Sequence, residues 1–456
     1  MRLAHHLGFV GQCYLKRLYR HSLPHRRHSQ LLAHTRQLGP EALLAYQDNA
    51  LQRMIQHAVQ HVPFYTDMFR RLRLSAEDIR TAADLRKLPL MDSRTVKDNF
   101  DALISRRDRN FLCRSGTTSG TTGQPGRFLR DFQAINFEHA ALWRHWASAG
   151  DTGKRRISLR GEIIVPASQD QPPFWRYNPA DQELQLSSYH LSPGNAPHYI
   201  AKILEFQPRI LYCGPSMGHV LAKLFHMNGV DYRFDAVFTS SESLAPEVRT
   251  YIERVFQTRI YDWYGQSERV AAIGQCIEGC YHVQEDYSIV EFEPAAQGMA
   301  EIVGTQLFNR VMPLLRYRTY DYVVPLATQG RCACGSHFRR IDHIVGRYYD
   351  YLITPEGYHI AITAHIPTGV ENLVEAQFHQ ERQGEVLVKV VTNGRFRPED
   401  AQKLIANVQA HTSPRMSVRI EEVPSIPRGP NGKFINIVNR MTQNRPVTAT
   451  VQAQAA

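Results

Sequence analysis

Residues Ser115 to Phe128 read SGTTSGTTGQPGRF, and the nine positions from Ser115 to Gly123 hold six hydroxyl side chains and three glycines. No charge occurs before Arg127. Glycine lets the backbone turn sharply and approach a ligand without a Cβ in the way. Backbone amides together with Ser and Thr hydroxyls can then surround phosphate oxygens. No Gly-Lys-Ser/Thr follows, so this is not a Walker A loop. A flexible linker is the alternative, but a linker rarely stands between NFLCR and the aromatic-rich FQAINFEHAALWRHWASAG. A second chemistry comes from two thiol clusters. CIEGCYH supplies Cys276, Cys280 and His282, and RCACGSH supplies Cys332, Cys334 and His337. Clusters about fifty residues apart suit a tetrahedral structural zinc site. The expected ligands are Cys276, His282, Cys332 and Cys334, with Cys280 as the substitute for Cys276. Four protein ligands leave no open position for water, so the metal would be structural.

The elements that must position these residues follow from composition and periodicity. A chain of 456 residues, 43% hydrophobic and 21% charged, is long enough for two or three domains with a sizeable core. Its net charge of +11 suits an anionic substrate, a nucleic acid or an acidic membrane surface, or simply a basic soluble enzyme. Seven cysteines are too few for a disulfide scaffold. The sequence carries no run of eighteen apolar residues and no secretory pattern, so a cytoplasmic protein with reduced thiols is expected. The first acid is Glu41. Leu3, Leu7, Val10, Tyr14 and Leu18 recur at helical spacing beside Lys16, Arg17 and Arg20. Such a helix could rest weakly on an anionic membrane, but packing on its own core is the preferred expectation. The periodicity continues through Leu43, Leu51, Ile55 and Val62, which argues against a cleaved transit peptide.

Along the chain, residues 40–110 read as helices broken at HVPFY and KLPLMD. From about residue 155, the apolar runs EIIVP, PRILYCG, FDAVFTS and TRIYDWYG alternate with helical patterns, which predicts an α/β domain with a largely parallel sheet. Residues 285–327 alternate at period two, as an antiparallel sheet or barrel would. After Asp350 the pattern restarts as a small α+β domain with a helix from Pro398. The expected organisation is therefore a helical N-terminal region over residues 1–110, a nucleotide- and acyl-binding core over 111–350, a small mobile domain over 351–443 and a disordered tail over 444–456.

Five stretches taken together resemble the adenylate-forming (acyl-CoA synthetase-like) superfamily. They are TSGTTGQP at Thr118–Pro125, YDWYGQSE at Tyr261–Glu268, LLRYRTYD at Leu314–Asp321, IVGRYYD at Ile344–Asp350 and PRGPNGKF at Pro427–Phe434. The N-terminal stretches HAVQHVPFY and DLRKLPLMD, with the length, resemble the phenylacetate–CoA ligase-like branch and its capsular-polysaccharide-associated members. The resemblance implies a large adenylate-forming domain, with mixed and parallel sheets, helices and a small barrel-like region, followed by a small C-terminal α+β domain. It implies that Thr118, Ser119, Gly120, Thr121, Thr122 and Gly123 surround the ATP phosphates and that Glu268 holds Mg²⁺. Tyr264, Gly265 and Ser267 would lie beside the adenine and the carboxylate. Asp321 would bind the ribose with help from Arg347, Asp350 would be the hinge, and Lys433 would stabilise charge between carboxylate and α-phosphate. Ser240 and Glu242 are expected to border the nucleotide. The sequence departs from the pattern at Gln124 and Gly126, where some members carry a lysine, and at Tyr320, which replaces the usual glycine before Asp321.

The function so implied is an ATP-dependent acid ligase that forms an acyl-adenylate and passes the acyl group to CoA or another thiol. One alternative is acyl or aminoacyl transfer to a sugar, amine or carrier in polysaccharide biosynthesis. Another is a zinc-containing nucleic-acid-binding protein, although no RNA- or DNA-binding motif is found. The expected cofactors are ATP, Mg²⁺, Zn²⁺ and CoA. The expected partners are a small carboxylic acid and the acyl acceptor, with no nucleic acid; a homodimer is left open.

Overall fold

The computed structural model describes residues 2–117, 126–151, 153–347, 351–361, 366–367, 369–428 and 434–441, the side chains of 2–7, 347, 359 and 361 excepted. The expected tail, 444–456, lies outside these described residues. Contacts group the chain into two units, one of residues 1–153, 178–181 and 261–345, the other of 154–177, 182–260 and 346–456.

Prolines set the helix boundaries in the first unit. The helix Pro40–His61 ends at the extended residue Val62, and Pro63 opens the next helix, Pro63–Leu72. Proline has no N–H to give and clashes with a preceding turn, so it starts helices rather than continuing them. KLPLMD works differently. Asp92 accepts the Thr95 amide at 2.7 Å and so caps the helix Ser93–Asp98. Met91 exchanges backbone hydrogen bonds with the strand Tyr317–Pro325 and its approach: its amide donates to Arg316 O at 3.0 Å, and its carbonyl accepts from Arg318 N at 2.8 Å. Leu51, Ile55, Val62, Tyr65 and Phe69 form one core with Leu85, Met91, Phe128, Leu315 and Tyr317. Burial of each large side chain contributes about 1.5–3 kcal/mol. Tyr65 is fully buried, and its hydroxyl donates to Pro313 O at 2.9 Å, which ties the helices to the segment entering the Asp321 strand.

The period-two segment of this unit forms sheet, as expected. Ser288–Pro294 pairs antiparallel with Ala300–Gln306, and that strand pairs antiparallel with Tyr317–Pro325. Tyr281–Val283 pairs antiparallel with both Arg340–Arg347 and Ala272–Gln275, and the last of these pairs antiparallel with Ile260–Gly265.

In the second unit EIIVP, expected as a strand, is not one: Ile163 is exposed, and the strand is the preceding Arg156–Arg160, whose Ile157 and Leu159 are buried. It pairs parallel with Glu183–Ser187 and Ile210–Cys213, and Ile210–Cys213 pairs parallel with Ala236–Ser240. Phe174, Tyr199, Phe225, Phe234 and Phe256 are fully buried there. The C-terminal segment has its own core, which includes Leu352, Phe378, Val388, Leu404 and Val408. It contains a four-stranded sheet, the antiparallel pair Tyr351–Ile353 and His359–Ala361, and the helix Pro398–His411 expected from the sequence. Lys223, on the helix Pro215–Met227, donates to the carbonyls of Leu373 at 2.9 Å and Val374 at 3.2 Å. Burial pushes its amine down to about 8, against the pull of Glu375. Among the described residues, no helix is long and apolar enough to cross a membrane.

Candidate active site

The hydroxyl- and glycine-rich loop springs from a hairpin. Arg114–Thr117 pairs antiparallel with Arg127–Arg130, and Thr117 stands opposite Arg127. Thr118, Ser119, Gly120, Thr121, Thr122 and Gly123 lie outside the described residues, but the base from which they rise is well defined. Ser267 Oγ donates to the Thr117 carbonyl at 2.9 Å, and Arg130 Nε donates to the Ser267 carbonyl at 3.2 Å. A Cβ on Gly116 would fall 2.3 Å from Arg130 Nη2, so any other residue would evict the guanidinium that holds the Ser267 turn. Burial, then the nearby Arg269 charge, pushes Arg130 down to about 10, and it remains a cation at neutral pH. Two of the five motif stretches therefore meet here, next to the residue that precedes the first, because Tyr317 of the third reaches the same turn. Its hydroxyl donates to Glu268 Oε1 at 3.0 Å, and both residues are buried.

Asp321 lies further along the same strand. Tyr264 OH donates to Asp321 Oδ2 at 2.7 Å. Burial, then the Asp321 charge, raises the Tyr264 hydroxyl well above its ordinary pKa, so it acts as a fixed donor. Tyr317, Thr319 and Asp321 are all buried, while Arg318 and Tyr320 are partly exposed. Tyr320 occupies the position where the resembled pattern has glycine, and its φ is +56°, in the left-handed region that glycine favours. The chain thus keeps the glycine-type backbone with a tyrosine in it. The pairing with Ala300–Gln306 shifts register here, which turns the strand around Tyr320. The Tyr320 ring lies 4.7 Å from the Arg318 guanidinium, and its hydroxyl reaches Asp92 Oδ2 at 3.3 Å.

The other expected residues belong to the second unit or lie outside the described residues. Ser240 ends the strand Ala236–Ser240 in the second unit. Glu242, in the same unit, accepts the Ser216 amide at 2.9 Å in the first turn of the helix Pro215–Met227. Arg347 closes the strand Arg340–Arg347, and its side chain is not among those described. Asp350 and Lys433 lie outside the described residues.

The Cys/His cluster assembles with the ligand set chosen from sequence. The ligand atoms of Cys276, His282, Cys332 and Cys334 all lie within 4.8 Å of one another. Cys276 Sγ is 4.0 Å from Cys332 Sγ, and His282 Nε2 is 3.6 Å from Cys334 Sγ. Zn–S bonds of about 2.3 Å in a tetrahedron put sulfurs about 3.8 Å apart, so the spacing suits zinc. His282 Nδ1 faces Phe338 O at 3.1 Å, which orients Nε2 toward the thiols. Cys280 contributes its carbonyl to the Cys276 amide at 2.9 Å and is not one of the four. Burial pushes the Cys276 thiol up to about 12 when no cation offsets it.

Residues that the sequence did not single out complete the arrangement: Arg130 and Gly116 at the hairpin, Tyr317 under Glu268, and Gln306, whose side chain donates to the Glu268 carbonyl. Tyr317 lay within a quoted motif. Gln306 carried no local signal, because its partner is 38 positions away.

Comparison with known proteins bears on the fold and on the chain's relatives. The CapK C-terminal domain family matches residues 352–440. Protein CapK of Staphylococcus aureus is 27% identical over 412 residues, covering 88% of this chain and 90% of its own. A phenylacetate-coenzyme A ligase of Thermus thermophilus is 24% identical over 331 residues, covering 69% and 73%. Among solved structures, 2-hydroxyisobutyryl-CoA ligase in its postadenylation state has a similar fold, with a TM-score of 0.68 at 16% identity, covering 90% of this chain and 92% of that one. The fold is that of the adenylate-forming enzymes. Within them, this chain is similar to CapK and to the phenylacetate-coenzyme A ligases.

Proposed function

We propose that the protein is an ATP-dependent acid–CoA ligase that works through an acyl-adenylate. In the first half-reaction a carboxylate oxygen of the acid attacks the α-phosphorus of ATP, and the bond to pyrophosphate breaks. In the second, the CoA sulfur attacks the acyl carbon and AMP departs. No side chain has to act as a nucleophile, so positioning and charge stabilisation supply the rate. The observation that carries this reading is the convergence in one unit of the hairpin base at Thr117, the Ser267–Glu268 turn and the Tyr264–Asp321 pair. Thr118 to Gly123 would hold the phosphates, and the tie between Thr117 and Ser267, next to Glu268, supports this. Asp321, kept in place by the Tyr264 hydroxyl, accepts the ribose hydroxyls. Glu268 offers the hard carboxylate oxygen that Mg²⁺ takes, and the ion when bound offsets phosphate charge and orients the leaving pyrophosphate. Lys433 supplies positive charge at the α-phosphate, and Asp350 is the pivot about which residues 351–443 turn between half-reactions. Turning requires Lys223 to release the carbonyls of Leu373 and Val374.

Cys276, His282, Cys332 and Cys334 hold a structural zinc. The donor set and its spacing support this. The enzyme works in the cytoplasm, and the basic helix Arg2–Arg20, with Leu15 67% and Leu18 70% exposed, supports weak contact with an anionic membrane surface.

A second reading, acyl transfer to an amine or hydroxyl of a sugar or carrier in polysaccharide biosynthesis, rests on the 27% identity with CapK and on the C-terminal match. Pyrophosphate release measured over a panel of carboxylic acids tests the first half-reaction. Supplying CoA, amines and sugars in turn with the active acid tests the second. The ligase reading requires a thioester. Acyl transfer only to a sugar or amine would favour the second reading, and an absence of acid-dependent pyrophosphate release would overturn both.

A further inference from the structure

A cleft of about 750 Å³ lies in the first unit, away from the Glu268 turn. Its walls come from the helix Leu23–Thr35 and the residues just after it, from the C-terminal half of the helix Phe132–Ser148 and from the turn that carries Cys334. Arg36, Arg144, Arg331 and His337 line it, and no Asp or Glu does. Arg144 is committed to Asp286 and to Gln284. Arg36 and Arg331 have no carboxylate partner among the described residues; the guanidinium of Arg331 has only a weak contact, Nε to the Gly335 carbonyl at 3.4 Å. Two guanidiniums without a counter-charge in one concavity raise the local potential for anions. A third observation is independent of charge. Ser29 lines the same cleft, and its Oγ is shielded from solvent and has no hydrogen-bond partner among the described residues. A shielded hydroxyl left in that state favours a ligand that can pair with it. Trp143 supplies an aromatic face, and three alanines leave room beside it.

We infer that this cleft binds a phosphorylated ring compound, a nucleotide or a glycosyl phosphate, at a site separate from the one that handles ATP. The phosphate takes Arg36 and Arg331, the ring lies against Trp143, and Ser29 pairs with a polar group of the ligand. Separation follows from the helix Phe132–Ser148. Its Glu138 faces Arg269, next to Glu268, with Nε to Oε2 at 3.7 Å, whereas Trp143 and Arg144 line the cleft further along. The inference does not depend on the identity of the acid or of the acyl acceptor.

Calorimetric titration of the full chain tests it, with glucose 1-phosphate, UMP and UDP as probes and with glucose and uridine as uncharged controls. At least one phosphorylated probe should bind while its uncharged counterpart does not, and the sugar and nucleotide arms distinguish the two sources. The double substitution Arg36→Gln with Arg331→Gln should weaken that binding about tenfold or more. Arg36→Lys, which keeps the charge, should retain most of it. Glu268→Gln should leave it unchanged. Thermal melts confirm that each variant is folded, and each single substitution is measured should the double variant fail to fold. Absence of binding by every phosphorylated probe at millimolar concentration would overturn the inference. So would binding that survives both arginine substitutions, or that disappears in Glu268→Gln.

Discussion

Glu268 and Cys276 stand eight residues apart, before and after the strand Ala272–Gln275, and their surroundings differ in kind. Around Glu268 and Asp321 the protein provides its own donors: Tyr317 on one carboxylate and Tyr264 on the other. A buried carboxylate paired with a phenol is satisfied whether or not substrate is present. Around Cys276 the other members of the cluster are two thiols and an imidazole nitrogen, and no Lys or Arg is among the four. On the zinc reading proposed above, that region is complete only with a cation. One strand thus joins a site that can be emptied without damage to one that would hold its ion as part of the fold.

The largest effect should come from breaking the second region. Prolonged chelation, or Cys332→Ala, should lower stability by about 4 kcal/mol, as expected for a ligand held at a thousand times its Kd. A melting curve reads this directly. Metal analysis showing well under one zinc per chain would remove the site, and Cys280→Ala should leave the zinc content unchanged.

Next comes Lys433→Ala, which should slow adenylate formation about 10²–10³-fold, the usual cost of losing one transition-state donor. Its melting temperature should match that of the wild type. Wild-type pyrophosphate release with the active acid would show that Lys433 has another role.

Glu268→Gln sharpens the contrast at lower cost. The amide can still accept from Tyr317, so the fold should hold. The midpoint of the Mg²⁺ titration of pyrophosphate release should rise about tenfold. An unchanged titration would take Glu268 out of the metal site.

The smallest effect is expected at Tyr320. Left-handed backbone costs a non-glycine residue about 1–2 kcal/mol. Tyr320→Gly relieves that cost, but it loses the Arg318 contact, about 0.5–1 kcal/mol, and frees the unfolded chain by a similar amount. Denaturant unfolding should therefore give a net change within about 1 kcal/mol. Tyr320→Val keeps the strain, loses the ring and should destabilise by about 1–2 kcal/mol. A stable valine variant would mean that the left-handed φ is not needed there.

Much of this arrangement was legible in local pattern. The alternation of strands with helices after residue 155 and the period-two run at 285–327 are recorded in spacing, because a backbone period of two or 3.6 residues leaves its mark on neighbouring positions. The four cysteine and histidine positions were legible because few residue types can hold such a metal. Other features depend on partners far away in the chain. Tyr264 meets Asp321 across 57 positions, and Tyr317 meets Glu268 across 49. The choice of Cys276 over Cys280, the close approach of Arg130 to Gly116, and the meeting of Arg36 with Arg331 in one cleft likewise depend on which segments become neighbours. Sequence by itself determined the types of chemistry available and the order in which the chain presents them. Tertiary structure decided which of those groups touch, because the register between strands distant in sequence is set by packing of the whole core rather than by any one segment.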